Sequence, residues 1–524
     1  MDKIKKISNL VSVSIFLLML TVPLVTGIVE KDILVSQYEK RILTVLPEIP
    51  SSSLELMNYS SKFEKYYEDN FGFRQWMTSM FSSIKLSLGD SSVRHVTVGK
   101  EGWLFIGGIR HGFNGFHDAM GDYMNINRYS ESELNRAVKY YSSVKKWLGK
   151  HGIEYLLVIA PNKHTIYPEY LPSYIKKQHK ESAMDQILNA LHSSTTVNFV
   201  DLRPSLFKAK KDGLVYFPND THWNQRAANV VQYEIMSKIK TLFPGISYPK
   251  MYEIEDKKDV LPPGGLLKML GLDKNKGTSP FAVFDDSTKE TLAEISYRKK
   301  RHVLINNKNK GIKAVVFRNS MFSAVKPFLY ESFNKLISIW EVFNIKSMRK
   351  ELNIDPPNIV IEQISERQLP VVGNQIGLFE KGMILSRFNS PKATLFENEW
   401  DQLQIIQQLK SKSLNSIGFE LKSTGRDPIL HFPKLPFLPG EQYLVNIKII
   451  SEVNSVLQLF YSTLSPKEHP FSRDRSHIKN VKKGRNDFYI LLESKDLGQY
   501  LRLDPIITTG DFILESLVIK HVEK

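Results

Sequence analysis

Tyr155-Leu156-Leu157-Val158-Ile159-Ala160 carries apolar side chains on both faces of an extended chain. A strand of that kind must be covered on both sides, the condition of a parallel strand sandwiched by helices. Residues 197–202, 314–317 and 359–361 read the same way. Between them lie helical patterns. Ser130 and Glu133 form a capping box, Leu134, Val138, Tyr141 and Leu148 recur at helical spacing, and Gly152 ends the run. Val231, Ile235 and Ile239 mark a second amphipathic helix after Trp223, and the stretch 324–335 suits a third, with Pro327 in its first turn. Strands and helices alternating at this pace predict an α/β fold, a doubly wound parallel sheet, over residues 99–375.

Outward from that domain the pattern changes twice. Residues 7–29 hold no charge, follow Lys3, Lys5 and Lys6, and exceed the roughly 20 residues that cross a bilayer core as a helix. Residues 1–30 therefore read as an uncleaved membrane anchor, with the body of the chain on the extracytoplasmic side. Residues 31–98 are helix-prone and aromatic around Phe63, Tyr66, Tyr67, Phe71 and Phe73, an arm between membrane and main domain. Lys100-Glu101-Gly102-Trp103-Leu104-Phe105-Ile106 reads as a turn entering a strand. Over residues 385–524 short alternating segments, such as 443–450 and 455–461, are separated by Pro and Gly turns, which predicts a β-sandwich. Phe460, Tyr461, Phe471 and Tyr500 are candidate sugar platforms there, or core residues.

Composition narrows the chemistry. The 524 residues carry a formal charge of +16 and no cysteine. Thiol catalysis, thiolate metal sites and disulfides are thereby excluded. The basic clusters Lys208-Lys210-Lys211, 298–301 and 308–313 suit a polyanionic partner or a solvated surface. An extracytoplasmic chain without a zinc-finger or RNA-recognition motif argues against nucleic acid.

The residues that carry chemistry are Asn219-Asp220-Thr221-His222-Trp223-Asn224 and, far downstream, Ser320 after the strand at 314–317. A carboxylate two residues from an imidazole can fix its tautomer, leaving the other ring nitrogen to take a proton from a hydroxyl. At the carboxyl end of a strand Ser320 would lie where open α/β sheets place their ligand crevices. An Asx-turn with a surface histidine is the plainer reading of Asp220 and His222. A metal site drawing on His164 or His302 is a further alternative, although no His-x-x-x-His pair occurs.

In order along the chain stand Gly99-Lys100-Glu101-Gly102-Trp103-Leu104-Phe105, Ala160-Pro161-Asn162-Lys163-His164-Thr165-Ile166-Tyr167-Pro168, Asp201-Leu202-Arg203, Asp220-Thr221-His222-Trp223, Gly271-Leu272, Arg318-Asn319-Ser320-Met321 and Glu366-Arg367. This set resembles the alginate O-acetyltransferase family of the AlgX and AlgJ type. The resemblance implies an SGNH-hydrolase-like domain acting on exported polysaccharide, with a carbohydrate-binding sandwich behind it. It implies Ser320 as nucleophile, His222 as general base and Asp220 as its orienting partner, with no cofactor and no metal. Asn162, Lys163 and Arg318 are candidates for substrate binding or for stabilising the oxyanion. Implied partners are a polysaccharide acceptor and a multispanning membrane protein that delivers acetyl groups; the implied place is the cytoplasmic membrane, with the catalytic domain on its periplasmic side. Asn319 and Met321 stand where the family usually has Asp and Phe, and the turn Gly264-Gly265-Leu266-Leu267 is looser than the family pattern. A polysaccharide acetyl esterase and a non-catalytic polysaccharide-binding or export-assembly protein stay open beside the transferase.

Overall fold

The computed structural model describes residues 2–29, 35–36, 41–108, 118–246, 250–260, 264–272, 277–282, 292–297, 301–306, 311–329, 332–389, 392–464, 471–495 and 497–522. The basic clusters at 298–301 and 308–313 lie partly outside them. The chain divides into two compact units, Met1–Ile376 and Gly377–Lys524.

The first unit is built on a seven-stranded sheet. Its strands are β1 (Glu154–Ala160), β2 (Asn198–Asp201), β3 (Leu292–Tyr297), β4 (Arg301–Asn306), β5 (Lys313–Phe317), β6 (Lys335–Ile339) and β7 (Ile359–Ser365). Their spatial order is β2-β1-β7-β5-β6-β4-β3. The first five in that order are parallel, and β4 and β3 run antiparallel at one edge. The sheet is therefore mixed, not wholly parallel as expected. Three residues separate β3 from β4, far short of the dozen or so that a parallel crossover requires.

The apolar alternation places helices on both faces. Leu156, Val158 and Ala160 share one buried cluster with Val231, Ile235 and Ile239 of helix Gln225–Leu242. On the opposite face Tyr155 and Glu362 meet Tyr140 of helix Glu131–Gly149: the Tyr155 and Tyr140 hydroxyls donate to the Glu362 carboxylate at 2.6 and 3.2 Å. Successive strand residues point to opposite sides, so one strand serves two cores. Each such buried apolar side chain contributes about 1.5–3 kcal/mol relative to leaving it exposed. Helix Glu131–Gly149 begins with the expected Ser130–Glu133 capping box. Its buried stripe is Ala137, Tyr141, Val144 and Leu148, while Leu134 and Val138 are only half-buried.

The helix expected over 324–335 does not form. Phe322–Val325 makes one helical turn, Lys326–Leu329 tightens to a 3-10 turn, and β6 already begins at Lys335. Pro327 brings no backbone N–H to carry the ladder on. The turn at 100–102 does lead into strand Leu104–Ile106, which pairs with Val96–Val98. Helix Asp2–Val29 contains a span, Ile7–Gly27, of mean hydropathy 2.2, long and apolar enough for a membrane anchor or a signal sequence alike. Residues 53–70 and 74–87 are helices, in keeping with a helical arm.

The second unit carries most of the helix Gln375–Asn389 and is β-strand beyond it. A six-stranded and a five-stranded antiparallel sheet enclose one core, to which Val445 and Ile447 contribute from one sheet and Leu457, Leu459 and Leu501 from the other. Phe460 is buried, with the Arg502 guanidinium 4.8 Å above its ring, so it is no sugar platform. Tyr461 is half-buried against the core. Tyr500 is exposed and lines, with His431 and Phe471, a cavity of about 410 Å³.

Candidate active site

Three parallel strands end side by side, β1 before Pro161-Asn162-Lys163, β7 before Glu366-Arg367-Gln368 and β5 before Arg318-Asn319-Ser320. The Arg318 amide still donates to the Ile339 carbonyl at 2.9 Å, and the chain then turns. Asn319 fixes that turn. Its Oδ1 accepts from the Met321 amide at 2.9 Å, which orients the side-chain amide so that Nδ2 donates to Gln368 Oε1 at 2.7 Å and Ser365 Oγ at 3.1 Å. Gln368 Oε1 also accepts from the Ser365 backbone amide, an obligate donor, so it has to be the oxygen. A carboxylate at position 319 would have no proton for it. Asn at position 319 thus matches Gln368 opposite.

The other half of the site is a loop closed by an antiparallel bridge between Tyr216 and Trp223. Trp223 is buried, and its indole N–H donates to the Met321 carbonyl at 2.8 Å, which ties this loop to the serine turn. Asn224 caps the following helix through the Ala227 amide. Within the loop the His222 amide donates to Asp220 Oδ1 at 3.0 Å, an Asx-turn. The same oxygen accepts from His222 Nδ1 at 2.5 Å, and His222 Nε2 lies 2.8 Å from Ser320 Oγ. Asp220 therefore holds the loop and the ring together, and the two readings of the Asp-Thr-His string coexist.

Electrostatics follow from burial. The Asp220 side chain is 6% exposed and that of His222 36%, so the imidazole is open to a small molecule while its carboxylate is shielded. Burial alone would raise the Asp220 pKa. The hydrogen bond and charge of His222, with the amides of Gly265 and His222, outweigh it and hold the carboxyl at about 2. The Gly265 amide donates to Asp220 Oδ2 at 2.5 Å, and a Cβ at 265 would lie 2.8 Å from that oxygen. Only glycine brings its N–H so close. With Nδ1–H directed at Asp220, the lone pair of Nε2 faces the serine hydroxyl.

The three residues expected to bind substrate or oxyanion are otherwise engaged. Lys163 Nζ donates to the carbonyls of Phe217, Pro218 and Asp220 at 3.1, 2.9 and 2.7 Å. Three acceptors match the three protons of an ammonium. Burial pulls its pKa down to about 7 against the charge of Asp220. Lys163 thus fastens the 217–220 loop and has no proton left for a ligand. Asn162 Nδ2 donates to Asp122 at 3.1 Å, and its amide donates to Glu366 at 2.7 Å. Arg318 is buried, lies 4.1 Å over the Trp340 ring and donates through Nη1 to Ser323 Oγ at 2.9 Å. Lys163 and Asn162 donate to these protein acceptors, while Arg318 keeps a buried Nε–H without a partner. The amide of Ser320, in contrast, donates to no described residue. The Gly265 amide was missed by the sequence reading, since only the Gly-rich turn itself signalled it; Arg367 had been noted without a role.

Residues 96–311 match the family described as SGNH hydrolase-like domain, acetyltransferase AlgX. The match takes in Asp220 and His222 and ends before Ser320. The probable alginate O-acetylase AlgJ of Pseudomonas aeruginosa is 25% identical over 178 residues, 34% of this chain and 41% of that protein. The probable alginate O-acetylase AlgJ of Pseudomonas fluorescens is 24% identical over 216 residues, 41% of this chain and 51% of its own length. The chain thus spans about half or less of the curated relatives it matches. Among solved structures, Pseudomonas aeruginosa AlgX covers 85% of this chain and 99% of its own, at 14% identity and a TM-score of 0.38, too low for functional transfer.

Proposed function

On the premise that this chain carries an AlgX/AlgJ-like, SGNH hydrolase-like domain, as its motifs implied, we propose that it is a polysaccharide O-acetyltransferase working through an acetyl-serine on Ser320. One observation carries the reading: the continuous series from Asp220 through His222 to Ser320, at 2.5 and 2.8 Å.

An alcohol is a weak nucleophile at neutral pH and needs a base within hydrogen-bond reach. His222 Nε2 takes the Ser320 proton as Oγ attacks the acyl carbon, and Asp220 stabilises the imidazolium that results. The Ser320 amide is one donor for the developing oxyanion. The donor's alcohol leaves with the proton from His222. A sugar hydroxyl then enters, gives its proton to the same nitrogen and takes the acetyl group, and that proton passes back to Ser320 Oγ as the acyl–serine bond breaks. The partly exposed imidazole leaves room for that second substrate. The acceptor as an exported polysaccharide, delivery of acetyl groups by a multispanning membrane protein, anchoring through the helix Asp2–Val29 in the cytoplasmic membrane and a periplasmic site are parts of the same proposal, supported by the family resemblance. Glycan contact in the second unit is assigned to the cavity lined by Phe471 and Tyr500.

The test is mass spectrometry of the protein after exposure to a chromogenic acetyl ester. An acetyl group on the peptide containing Ser320, absent in Ser320→Ala, with ester turnover abolished in that variant and its thermal midpoint unchanged, is the expected outcome. Turnover at the wild-type rate in Ser320→Ala would remove the triad.

A further inference from the structure

Lys163 spends its protons on the 217–220 loop and Arg318 lies over the Trp340 ring; beside the Ser320 amide, a further cation stands next to the loop that carries Asp220 and His222. Arg367 follows the end of β7, the strand hydrogen-bonded between β1 and β5. Its neighbours in sequence reach both ways. Ser365 and Gln368 accept from Asn319 in the serine turn, and Glu366 accepts from the Asn162 amide and the Thr165 hydroxyl, each at 2.7 Å. Arg367 is thus held between the serine turn and the start of the 163–166 helix. With Asn162, Lys163, His164, Ile106 and Thr221, the residue between Asp220 and His222, it lines a cavity of about 10 Å³, room for about one oxygen atom.

Among the described residues the Arg367 side chain has no hydrogen-bond or ion-pair partner. The acids that act on it from a distance, Asp122 and Glu366, are ones that burial pushes toward the neutral form. Two acceptors on the same lining, Asn162 Oδ1 and His164 Nδ1, also lack partners and favour a cation there. A half-buried guanidinium with no protein hydrogen bond keeps its N–H groups for whatever oxygen enters the cavity.

We infer that Arg367 is a second oxyanion donor: it gives an N–H to the acyl oxygen that becomes negative when Ser320 attacks. The inference rests on the acyl-transfer reading above. In the step concerned, the Ser320 Oγ–carbon bond forms, the carbonyl π pair moves onto oxygen beside Arg367, and the serine proton passes to His222. When the pair returns, the bond to the leaving alcohol breaks and that alcohol takes the proton. Thr221 and Asn162 shape the hole, and a guanidinium presents two donors in one plane to a single oxygen.

The experiment uses the full chain and p-nitrophenyl acetate, a neutral ester, without any sugar acceptor. Wild-type turnover with an acetyl adduct on Ser320 comes first; its absence would sink the acyl-transfer reading itself, apart from anything about Arg367. Given that turnover, Arg367→Met lowers kcat by about 10²–10³-fold, as loss of one oxyanion donor does, with little change in KM and an unchanged thermal midpoint. Arg367→Lys, which keeps a charge but not the planar pair of donors, falls between the two, and added guanidinium ion restores part of the rate to Arg367→Gly. Wild-type kcat in Arg367→Met overturns the inference. So does a loss that appears only when an anionic polysaccharide acceptor is supplied, since that would make Arg367 a receptor for acceptor carboxylates. Should Arg367→Met fail to fold, Arg367→Lys decides, and a wild-type rate in it with no rescue of Arg367→Gly by guanidinium counts against the oxyanion role.

Discussion

Lys163 and Arg367 are cations just past the ends of adjacent parallel strands, and their surroundings use them in opposite ways. Lys163 is buried, and three backbone carbonyls occupy its three protons. Arg367 is half-buried, with no partner among the described residues. The first makes the loop that carries Asp220 and His222 rigid. The second leaves unmet donors in the crevice. The difference lies in which atoms reach each cation: the 217–220 loop presents three carbonyls to Lys163, whereas no described group accepts from Arg367. A positive charge beside a candidate catalytic motif is therefore no guide to function until its donors have been accounted for.

The comparison can be broken most forcefully through Asp220, whose carbonyl Lys163 holds and whose carboxylate His222 needs. Asp220→Asn should cost about 10⁴-fold in ester turnover, the effect of a wrong imidazole tautomer in comparable triads. Kinetics on the variant decide it. A loss under about tenfold would leave Asp220 as a turn residue alone.

Next in size is Lys163→Met. Removing the ammonium leaves the Asp220 carbonyl without a donor, while those of Phe217 and Pro218 keep the amides of Asp220 and Leu104, and a buried group left unsatisfied costs about 1–3 kcal/mol. The relief from no longer burying a charge offsets part of this, so a net loss of about 1–2 kcal/mol is expected in urea unfolding, together with lower kcat. Arg367→Met should do the reverse, costing rate and no stability. Equal stability losses in the two variants would erase the distinction between a fastening cation and an open one.

The smallest effect belongs to Asn319→Asp. The carboxylate loses the donor that serves Gln368 and Ser365, which predicts a loss of about 1 kcal/mol and turnover still within about tenfold of wild type, because the charge partner of His222 is Asp220. A full loss of activity in Asn319→Asp would mean that the turn beside Arg367 tolerates far less than its neighbour loop.

Much of this was legible in the chain. The doubly apolar run 155–160 reads as a buried strand, the capping box at Ser130 and Glu133 set a helix start, Asp220 and His222 were marked by residue type on a turn before a helix, and Ser320 by its place after a strand. These features are local, since burial pattern, capping and strand-end position are written in neighbouring residues. What only the tertiary structure decided was pairing across long separations. The β3–β4 hairpin turned the sheet mixed because a short connection overrides an expectation of parallel strands, and Pro327 cut a helix whose side chains otherwise suited it. The engagement of Lys163 by a loop more than fifty residues away, the fit of Asn319 to Gln368, and the unpartnered state of Arg367 depend on which hydrogen-bonding groups the fold brings face to face. Residue identity states how many donors and acceptors a side chain has; the folded chain alone decides how many remain free.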